Sequence, residues 1–194
     1  MKRKKQHGKQ IKLKTFMQLG LSAIIIVVVL LFGTMYYFYT SKLIKDNIQS
    51  TLQNFAVSAS YIINGDLHEQ IVDVDSDLFK EEIKRLAKYK EEAGIYDVYT
   101  LIKGDEHSTR FVLASYDAES TFMEPYILNE SMKKAFEGKV TVTSEPYVDD
   151  FGTFYSGYAP LYNSEGNLVA IVAIDINNDE IKKITKDNPL IPPK

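Results

Sequence analysis

The sequence predicts an α+β domain behind a single membrane-spanning helix, and three observations lead to this prediction. Residues 19–38 are largely apolar, and no charged residue occurs over 15–41. Apolar residues then recur every three or four positions over 41–63 and over 77–93, which is the period of an amphipathic helix. After Gly94 the period falls to two, and several short strands separated by turns follow.

Charge divides the 194-residue chain into two parts. Residues 1–40 carry seven of the 23 basic residues and none of the 26 acidic ones, so the rest of the chain is strongly acidic. Nucleic-acid binding by the folded part is therefore not expected, because phosphate affinity comes from clustered Lys and Arg. The chain has no cysteine, which excludes disulfides, thiolate metal sites and a cysteine nucleophile.

The apolar stretch is long enough to cross a membrane. Twenty helical residues at about 1.5 Å each cover the roughly 30 Å hydrocarbon layer. Tyrosines cluster at its far end, and the basic residues before it are expected to stay in the cytoplasm. A cleaved signal peptide is the competing interpretation, but its apolar core is normally about 7–15 residues long and ends in small residues. We therefore expect a basic cytoplasmic tail over 1–14, a transmembrane helix over 15–40, and an extracytoplasmic domain from residue 41.

The helix predicted over 41–63 continues the membrane segment as a stalk. One face of it carries an apolar stripe: Ile44, Ile48, Leu52, Phe55, Ala59 and Ile62. This stripe either packs only on its own domain or also pairs with a second copy of the chain, as heptad-like seams do. A homodimer through helix 41–63 is therefore one of two alternatives.

Five strands are expected after the second helix. They cover 95–102, 110–115, 139–143, 154–162 and 168–176, and a short helix over 129–136 precedes the third. The last strand is almost continuously apolar, so we expect it to be central in its sheet and covered on both faces. Asp175 closes this strand and needs a partner, because an unpaired buried carboxylate is costly. Residues 178–187 predict an exit helix.

The hairpin over 145–177 resembles a known family. Its first strand has the pattern D-x-x-G-x-x-x-S-x-Y-x-P, and an apolar strand ending in Asp follows a glycine turn. The matching residues are Asp149, Gly152, Ser156, Tyr158, Pro160, Leu161, Gly166 and Asp175. This run is similar to the C-terminal hairpin of extracytoplasmic Cache domains, which are the PAS-like sensor modules of bacterial transmembrane receptors.

The resemblance implies a single Cache domain over 41–187, with a five-stranded antiparallel sheet, helices over one face and a long N-terminal helix. Residues 188–194 would form a C-terminal tail. The implied function is small-molecule sensing for a histidine kinase, a chemotaxis transducer or a diguanylate cyclase. No such output domain occurs in the sequence, so we expect the front part of a longer receptor or an anchored sensor that signals through a partner. The alternative is an anchored extracytoplasmic module that binds another protein and no small ligand.

Neither an enzyme nor a cofactor is expected. The motifs HExxH, GxSxG and GxxxxGK[ST] do not occur. His68 and His107 lie in polar surroundings and are expected to be solvated. The acidic run over 73–77 lacks the Gly and the Glu that an EF-hand needs at its sixth and twelfth positions, so no metal site is expected.

The candidate ligand site lies between the sheet and the segment 116–147. Tyrosines near it give a pocket an apolar wall and hydroxyls that orient a ligand. Those expected at the pocket are Tyr99, Tyr126, Tyr147 and Tyr158.

The resemblance also implies a ligand class. In amine-recognising Cache domains a Tyr and an Asp ahead of the fourth strand, and an Asp that ends the last strand, hold the ligand ammonium; Tyr147, Asp149 and Asp175 resemble that set. The family's amino-acid binders add an Arg that clamps the ligand carboxylate, and residues 122–126 have no such Arg. The ligand is therefore expected to be an amine, or alternatively a small carboxylate held by Arg110.

Overall fold

The computed structural model describes residues 13–149 and 152–177. The chain divides after residue 43 into two compact units. The tail over 1–12, the exit helix predicted over 178–187 and the tail predicted over 188–194 lie outside the described residues.

A single helix, α1, runs from Leu13 to Ile62. Among the described residues it is the one helix long and apolar enough to cross a membrane, and its apolar window has no buried side chain. Apolar side chains that find no protein partner are what a lipid-facing segment requires. The chain therefore has one candidate membrane helix near its N-terminus.

In the second unit, the last part of α1 is a core element. Of the predicted stripe, Leu52 and Ala59 are 0–1 % exposed and lie in the core, while Ile44, Ile48, Phe55 and Ile62 are half-buried. Ala56, which was not in the predicted stripe, is also fully buried. The helix lies so close to the sheet that a Cβ on Gly157 would stand 2.7 Å from the Leu52 carbonyl oxygen. Glycine at 157 is what permits this approach, because any side chain there would push the helix away.

Two further helices follow α1. The short α2 covers Gly65–His68, and α3 covers Asp77–Ala93, as predicted. Ser76 caps α3, since its side chain accepts a hydrogen bond from the Phe79 N–H at 3.2 Å.

The expectation that His68 is solvated is wrong. Its side chain is 2 % exposed, and its Nε2 lies 2.8 Å from Thr100 Oγ1 on the first strand. The short helix α2 packs against the sheet, which buries His68. The buried Thr100 hydroxyl gives the imidazole ring of His68 a polar partner. His107 is exposed, as expected.

The remaining elements form one antiparallel sheet and two short helices. The strands are β1 (Asp97–Lys103), β2 (Ser108–Ala114), β3 (Pro125–Ile127), β4 (Thr141–Val142), β5 (Tyr147–Asp149), β6 (Gly152–Tyr162) and β7 (Leu168–Asn177). The helices are α4 (Ala118–Thr121) and α5 (Glu130–Phe136). The strand order is β3-β2-β1-β7-β6-β4, and β5 also pairs with β6.

This architecture confirms the predicted α+β class, with a long N-terminal helix and an antiparallel sheet. The strand count is seven instead of five, because β3 and β5 were not predicted; each has only three residues. The central position of β7, between β1 and β6, is confirmed.

Both faces of the sheet are covered. Leu52 and Ala56 of α1, with Phe79 and Leu86 of α3, pack on one face. On the other face, α5 contributes Met132 and Ala135 to a second core cluster. The expectation that the helices cover one face only is therefore wrong for α5.

Candidate functional site

A cavity of about 240 Å³ lies on the face of the sheet that α5 also covers. Aromatic and acidic residues dominate its wall. The lining residues are Tyr96, Asp97, Tyr99, Phe111, Ala114, Tyr116, Thr121, Tyr126, Phe154 and Asp175. This volume is somewhat below the roughly 300–1,000 Å³ of drug-sized pockets, so it suits a small metabolite.

Aromatic rings form a continuous wall across the first three strands. The Tyr99 and Phe111 ring centroids are 5.3 Å apart, and those of Phe111 and Tyr126 are 5.2 Å apart. Tyr96 and Phe154 make a second contact at 4.8 Å. These distances are typical of favourable aromatic pairs.

Two acidic residues, Asp97 and Asp175, line the cavity from neighbouring strands. Asp97 of β1 is directly paired with Asp175 of β7, so both side chains project from the same face of the sheet. Residues paired in this way have Cβ atoms about 4.5–5.5 Å apart, and like charges at that distance repel. Asp175 is only 6 % exposed, so its carboxylate lies in a largely water-excluded environment.

Hydroxyl groups hold both carboxylates in place. Ser156 of β6 donates a hydrogen bond to Asp175 Oδ1, and the Tyr99 hydroxyl donates to the same oxygen at 3.4 Å. Asp97 Oδ1 accepts hydrogen bonds from Ser115 Oγ and from the Val98 N–H. Burial raises the pKa of Asp97, while the Ser115 hydrogen bond and the nearby Lys90 charge lower it.

Tyrosine hydroxyls extend this network from opposite edges of the sheet. The hydroxyls of Tyr126 and Tyr147 are 3.3 Å apart, and the Tyr147 hydroxyl is 3.1 Å from Ser156 Oγ. Burial and the negative charge of Asp175 raise the pKa values of Tyr99 and Tyr147 far above the ordinary value. These tyrosines therefore stay protonated and can act as hydrogen-bond donors.

The structure brings some of the predicted site residues together. Tyr99, Tyr126 and Asp175 line the cavity, and Tyr147 reaches it through Tyr126 and Ser156. Tyr158 is completely buried beneath the site, and its hydroxyl accepts a hydrogen bond from Asn129 Nδ2 at 3.1 Å.

The remaining two predicted site residues are Arg110 and Asp149. Arg110 is exposed and lies outside the cavity lining; its Nη1 donates to the Met123 carbonyl at 2.9 Å. Since Phe111 faces the cavity, strand alternation directs Arg110 to the other face. The backbone of Asp149 pairs with Gly152 in β5 and β6, and its side chain lies outside the described part of the molecule.

Several lining residues were not predicted as site residues. They are Tyr96, Asp97, Phe111, Ala114, Tyr116, Thr121 and Phe154. One signal for Asp97 was present, because a single acid interrupts an otherwise apolar and aromatic strand. The contribution of Ser156 to the site depends on its pairing with Asp175, which the sequence does not display.

Sequence and structure comparisons gave different kinds of result. No protein-family model matches the chain, and no curated protein matches it. Similar solved structures do exist. The ligand-binding domain of the Campylobacter jejuni chemoreceptor Tlp3, in complex with L-valine, is 15 % identical with a TM-score of 0.48, over 80 % of this chain and 67 % of that one.

Two sensor domains are similar at the same level. The E. coli DcuS sensor domain is 10 % identical with a TM-score of 0.49, over 75 % of this chain and 99 % of that one. The sensor domain of the V. cholerae histidine kinase DctB is 13 % identical with a TM-score of 0.49, over 74 % of this chain and 60 % of that one. These three solved structures are a chemoreceptor's ligand-binding domain and two sensor domains, one of them from a histidine kinase.

Proposed function

We propose that this protein is a membrane-anchored extracytoplasmic sensor whose cavity binds a small organic amine. The observation that carries the proposal is the pair of opposed carboxylates, Asp97 and Asp175, on the floor of an aromatic cavity. An ammonium group between them would relieve their repulsion. The resemblance of Tyr147 and Asp175 to the amine-binding set of Cache domains supports the same ligand class.

The chemistry of the wall also suits a cation. Ammonium groups bind favourably to the faces of tyrosine and phenylalanine rings, and the interaction strengthens when water is excluded. Hydrogen bonds from an ammonium to a carboxylate are about twice as strong as those between neutral groups. Tyr99 and Phe111 supply ring surface beside Asp175.

A small carboxylate is the less well supported ligand. Among the described residues that line the cavity there is no Lys or Arg, and Arg110 lies outside the lining. An anion would enter beside two carboxylates and would add to the repulsion between them.

The direction of the chain across the membrane is part of the proposal. Seven basic residues precede the apolar segment and no acidic residue accompanies them, so the N-terminus belongs in the cytoplasm. The cavity then faces the outside, and an amine bound there would signal through α1 to a kinase, transducer or cyclase, either in a longer chain or in a partner.

The test is a thermal-shift measurement on the full chain in lipid nanodiscs. Primary amines from methylamine to pentylamine are compared with carboxylates of the same chain length. A ligand at a hundred times its Kd stabilises the folded state by about 2.7 kcal/mol, which raises Tm by roughly 5–10 °C in a domain of this size. We expect such a rise with at least one amine and none with the matched carboxylate.

Two variants separate the site from unspecific charge effects. Asp175→Asn keeps the shape of the side chain and should abolish the shift. Asp105→Asn, in the exposed turn between β1 and β2, should leave it unchanged. A shift with carboxylates alone would refute the amine, and no shift across the panel would favour the protein-binding module.

A further inference from the structure

The strand β2 departs from regular alternation beside the cavity. In its pairing with β1, Ala114 lies opposite Tyr99. Three residues earlier, Phe111 lies opposite Leu101. Between these two pairs β1 has one residue, Thr100, and β2 has two, which is the arrangement of a β-bulge. The bulge changes which residues of β2 face the cavity.

Two consecutive residues of β2 are thereby placed on one face of the sheet. Val112 and Leu113 both belong to the core cluster that α1 and α3 cover. Phe111 and Ala114, on either side of them, belong to the cluster on the cavity face, and both line the cavity. Strict alternation from Phe111 would instead turn Leu113 towards the cavity and Ala114 away from it.

The register after the bulge also brings Ser115 to Asp97. The Ser115 N–H donates to the Val98 carbonyl at 2.9 Å, and the Ser115 hydroxyl donates to Asp97 Oδ1. Asp97 lines the cavity. The bulge therefore sets both a part of the wall and the support of one carboxylate.

The Thr100 hydroxyl supplies the hydrogen bond that the bulge lacks. A bulge leaves a backbone N–H without its partner in the ladder, and an unmade hydrogen bond is costly at a completely buried residue such as Leu113. The Leu113 N–H donates to Thr100 Oγ1 at 3.0 Å. His68 Nε2 lies 2.8 Å from the same oxygen. This contact is on the face away from the cavity, because Thr100 follows the cavity-lining Tyr99.

We propose that Thr100 is a positioning residue of the ligand cavity. Its hydroxyl, held by His68, stabilises the bulge. The bulge in turn puts Ala114 in the wall and Ser115 against Asp97. Valine has the shape of threonine but no acceptor, whereas serine keeps the acceptor. This inference rests on the proposed amine site for its ligand, but the bulge can also be measured without one.

The first measurement is the rate of thiol labelling on the full chain in nanodiscs. The chain has no cysteine, so Ala114→Cys and Leu113→Cys each give a single thiol, on opposite faces of β2. Methyl methanethiosulfonate should label position 114 faster than position 113. In Thr100→Val this rate ratio should fall by on the order of tenfold, because an unpaired buried N–H disfavours the bulge. Thr100→Ser should restore the ratio.

The second measurement is the affinity for butylamine, by isothermal titration calorimetry on the full chain in nanodiscs. Thr100→Val should weaken binding by about tenfold, and Thr100→Ser should recover most of this loss. Thr141→Val is the matched control and should leave binding unchanged. The Thr141 hydroxyl also bonds to backbone, since it donates to the Ser131 carbonyl at 2.8 Å, but Thr141 does not line the cavity.

A second pair of variants covers the case in which Thr100→Val does not fold, which its melting temperature reports. His68→Leu removes the group that holds the Thr100 hydroxyl and should weaken butylamine binding by roughly threefold or more. His68→Gln keeps a polar group beside that hydroxyl and should bind butylamine more tightly than His68→Leu. Equal affinities in these two variants would contradict the role of His68.

The outcomes separate the two proposals. If Thr100→Val is folded and keeps the wild-type rate ratio and affinity, the inference is overturned, and Asp175-dependent binding of butylamine leaves the amine site standing. The inference is also overturned if Thr100→Ser restores neither quantity. If the rate ratio depends on the Thr100 hydroxyl but no amine binds in an Asp175-dependent way, the positioning role stands and the amine proposal fails.

Discussion

At the scale of single residues, His68 and Thr100 form a polar contact inside the core. The Leu113 N–H donates to Thr100 Oγ1 at 3.0 Å, and His68 Nε2 lies 2.8 Å from the same oxygen. The threonine hydroxyl can donate to the ring nitrogen or accept from it, depending on the tautomer of the ring. Burial lowers the pKa of His68 from 6.5 to about 4, so the imidazole is neutral at pH 7.

This contact predicts a loss of stability in acid. Protonation of His68 is unfavourable in the folded state but not in the unfolded state. The contribution of His68 to the free energy of unfolding is therefore fully present above pH 6.5 and is lost as the pH falls towards 4. The expected change in this contribution between pH 7.5 and pH 4.5 is about 2–3 kcal/mol. Urea denaturation of the full chain in nanodiscs, followed by circular dichroism at the two pH values, measures it.

Carboxylates also contribute to acid unfolding, so the comparison is between variants. His68→Gln keeps a neutral polar group, and its free energy of unfolding should fall by about 2–3 kcal/mol less than that of the wild type over this range. His107→Gln, at an exposed position, should behave as the wild type. Equal pH dependence in all three proteins would contradict the assignment.

Individual site residues were partly predictable. Tyr99, Tyr126 and Asp175 line the cavity, and residue type and strand position were enough to place them near it; their role in ligand binding stays a prediction. His68 was predicted wrongly because the sequence shows its polar neighbours along the chain, whereas Thr100 approaches it only in the folded sheet. Asp97 was not predicted because its pairing with Asp175 exists only in the sheet.

At the scale of elements, two places attach α1 to the rest of the domain. One is the stretch of α1 near residues 45–49, and the other is the short helix α2 that follows it. Near residue 45, Lys45 pairs with Glu145, and Gln49 Nε2 donates to the Thr143 carbonyl at 3.3 Å. After α1, Asp66 of α2 accepts hydrogen bonds from the Ser164 N–H at 3.0 Å and its hydroxyl at 2.9 Å. Of these contacts, the hydrogen bond between Gln49 and Thr143 is the one that connects to the candidate site.

Thr143 connects that attachment to the cavity. Its Oγ1 accepts a hydrogen bond from the Ser156 N–H at 3.0 Å, and the Ser156 hydroxyl donates to Asp175. A ligand that moves Asp175 therefore has a short route through Ser156 and Thr143 to Gln49 on α1. We propose that this route carries the signal.

Hydrogen exchange of the full chain in nanodiscs, with and without the amine found by thermal shift, measures this coupling. The ligand should change the exchange of the amides over 44–52. In Gln49→Ala the ligand should still bind, and the change should become smaller. Gln53→Ala, at an exposed position of α1, should keep it. An undiminished change in Gln49→Ala would rule out this route.

Long elements were predicted from the sequence, and short ones were not. The bounds of α3 agree with the prediction because its periodic apolar pattern extends over 17 residues. The central position of β7 agrees because its almost continuously apolar run requires cover on both faces. The strands β3 and β5 have three residues each, which is too few for a period-two pattern to appear. Both are defined by pairing with longer strands, β2 and β6.

At the scale of the whole molecule, the proposed orientation predicts which positions can be labelled from outside the cell. The chain has no cysteine, so single cysteines report without background. Glu106→Cys, in the exposed β1–β2 turn, should react with a membrane-impermeant maleimide in intact cells. Lys5→Cys should react only after the membrane is permeabilised. The opposite pattern, or reaction of both in intact cells, would contradict the orientation.

The class of the whole fold could be predicted because charge division, the apolar stretch and the change of period are global patterns. The placement of α5 on the second face could not, since its seven residues carry too few apolar positions to show where they pack. Dimerisation through helix 41–63 stays a prediction.

The close approach of Leu52 to Gly157 limits where a soluble fragment of this protein can begin. Ala56, Ala59 and Ile63 follow Leu52 into the core, so residues 52–63 are part of the domain and not a linker that can be removed. A fragment beginning at residue 64 would expose the sheet face built by Ala159, Val172 and Ile174 and would be prone to aggregate. A soluble fragment has to begin near residue 44, where the second unit starts.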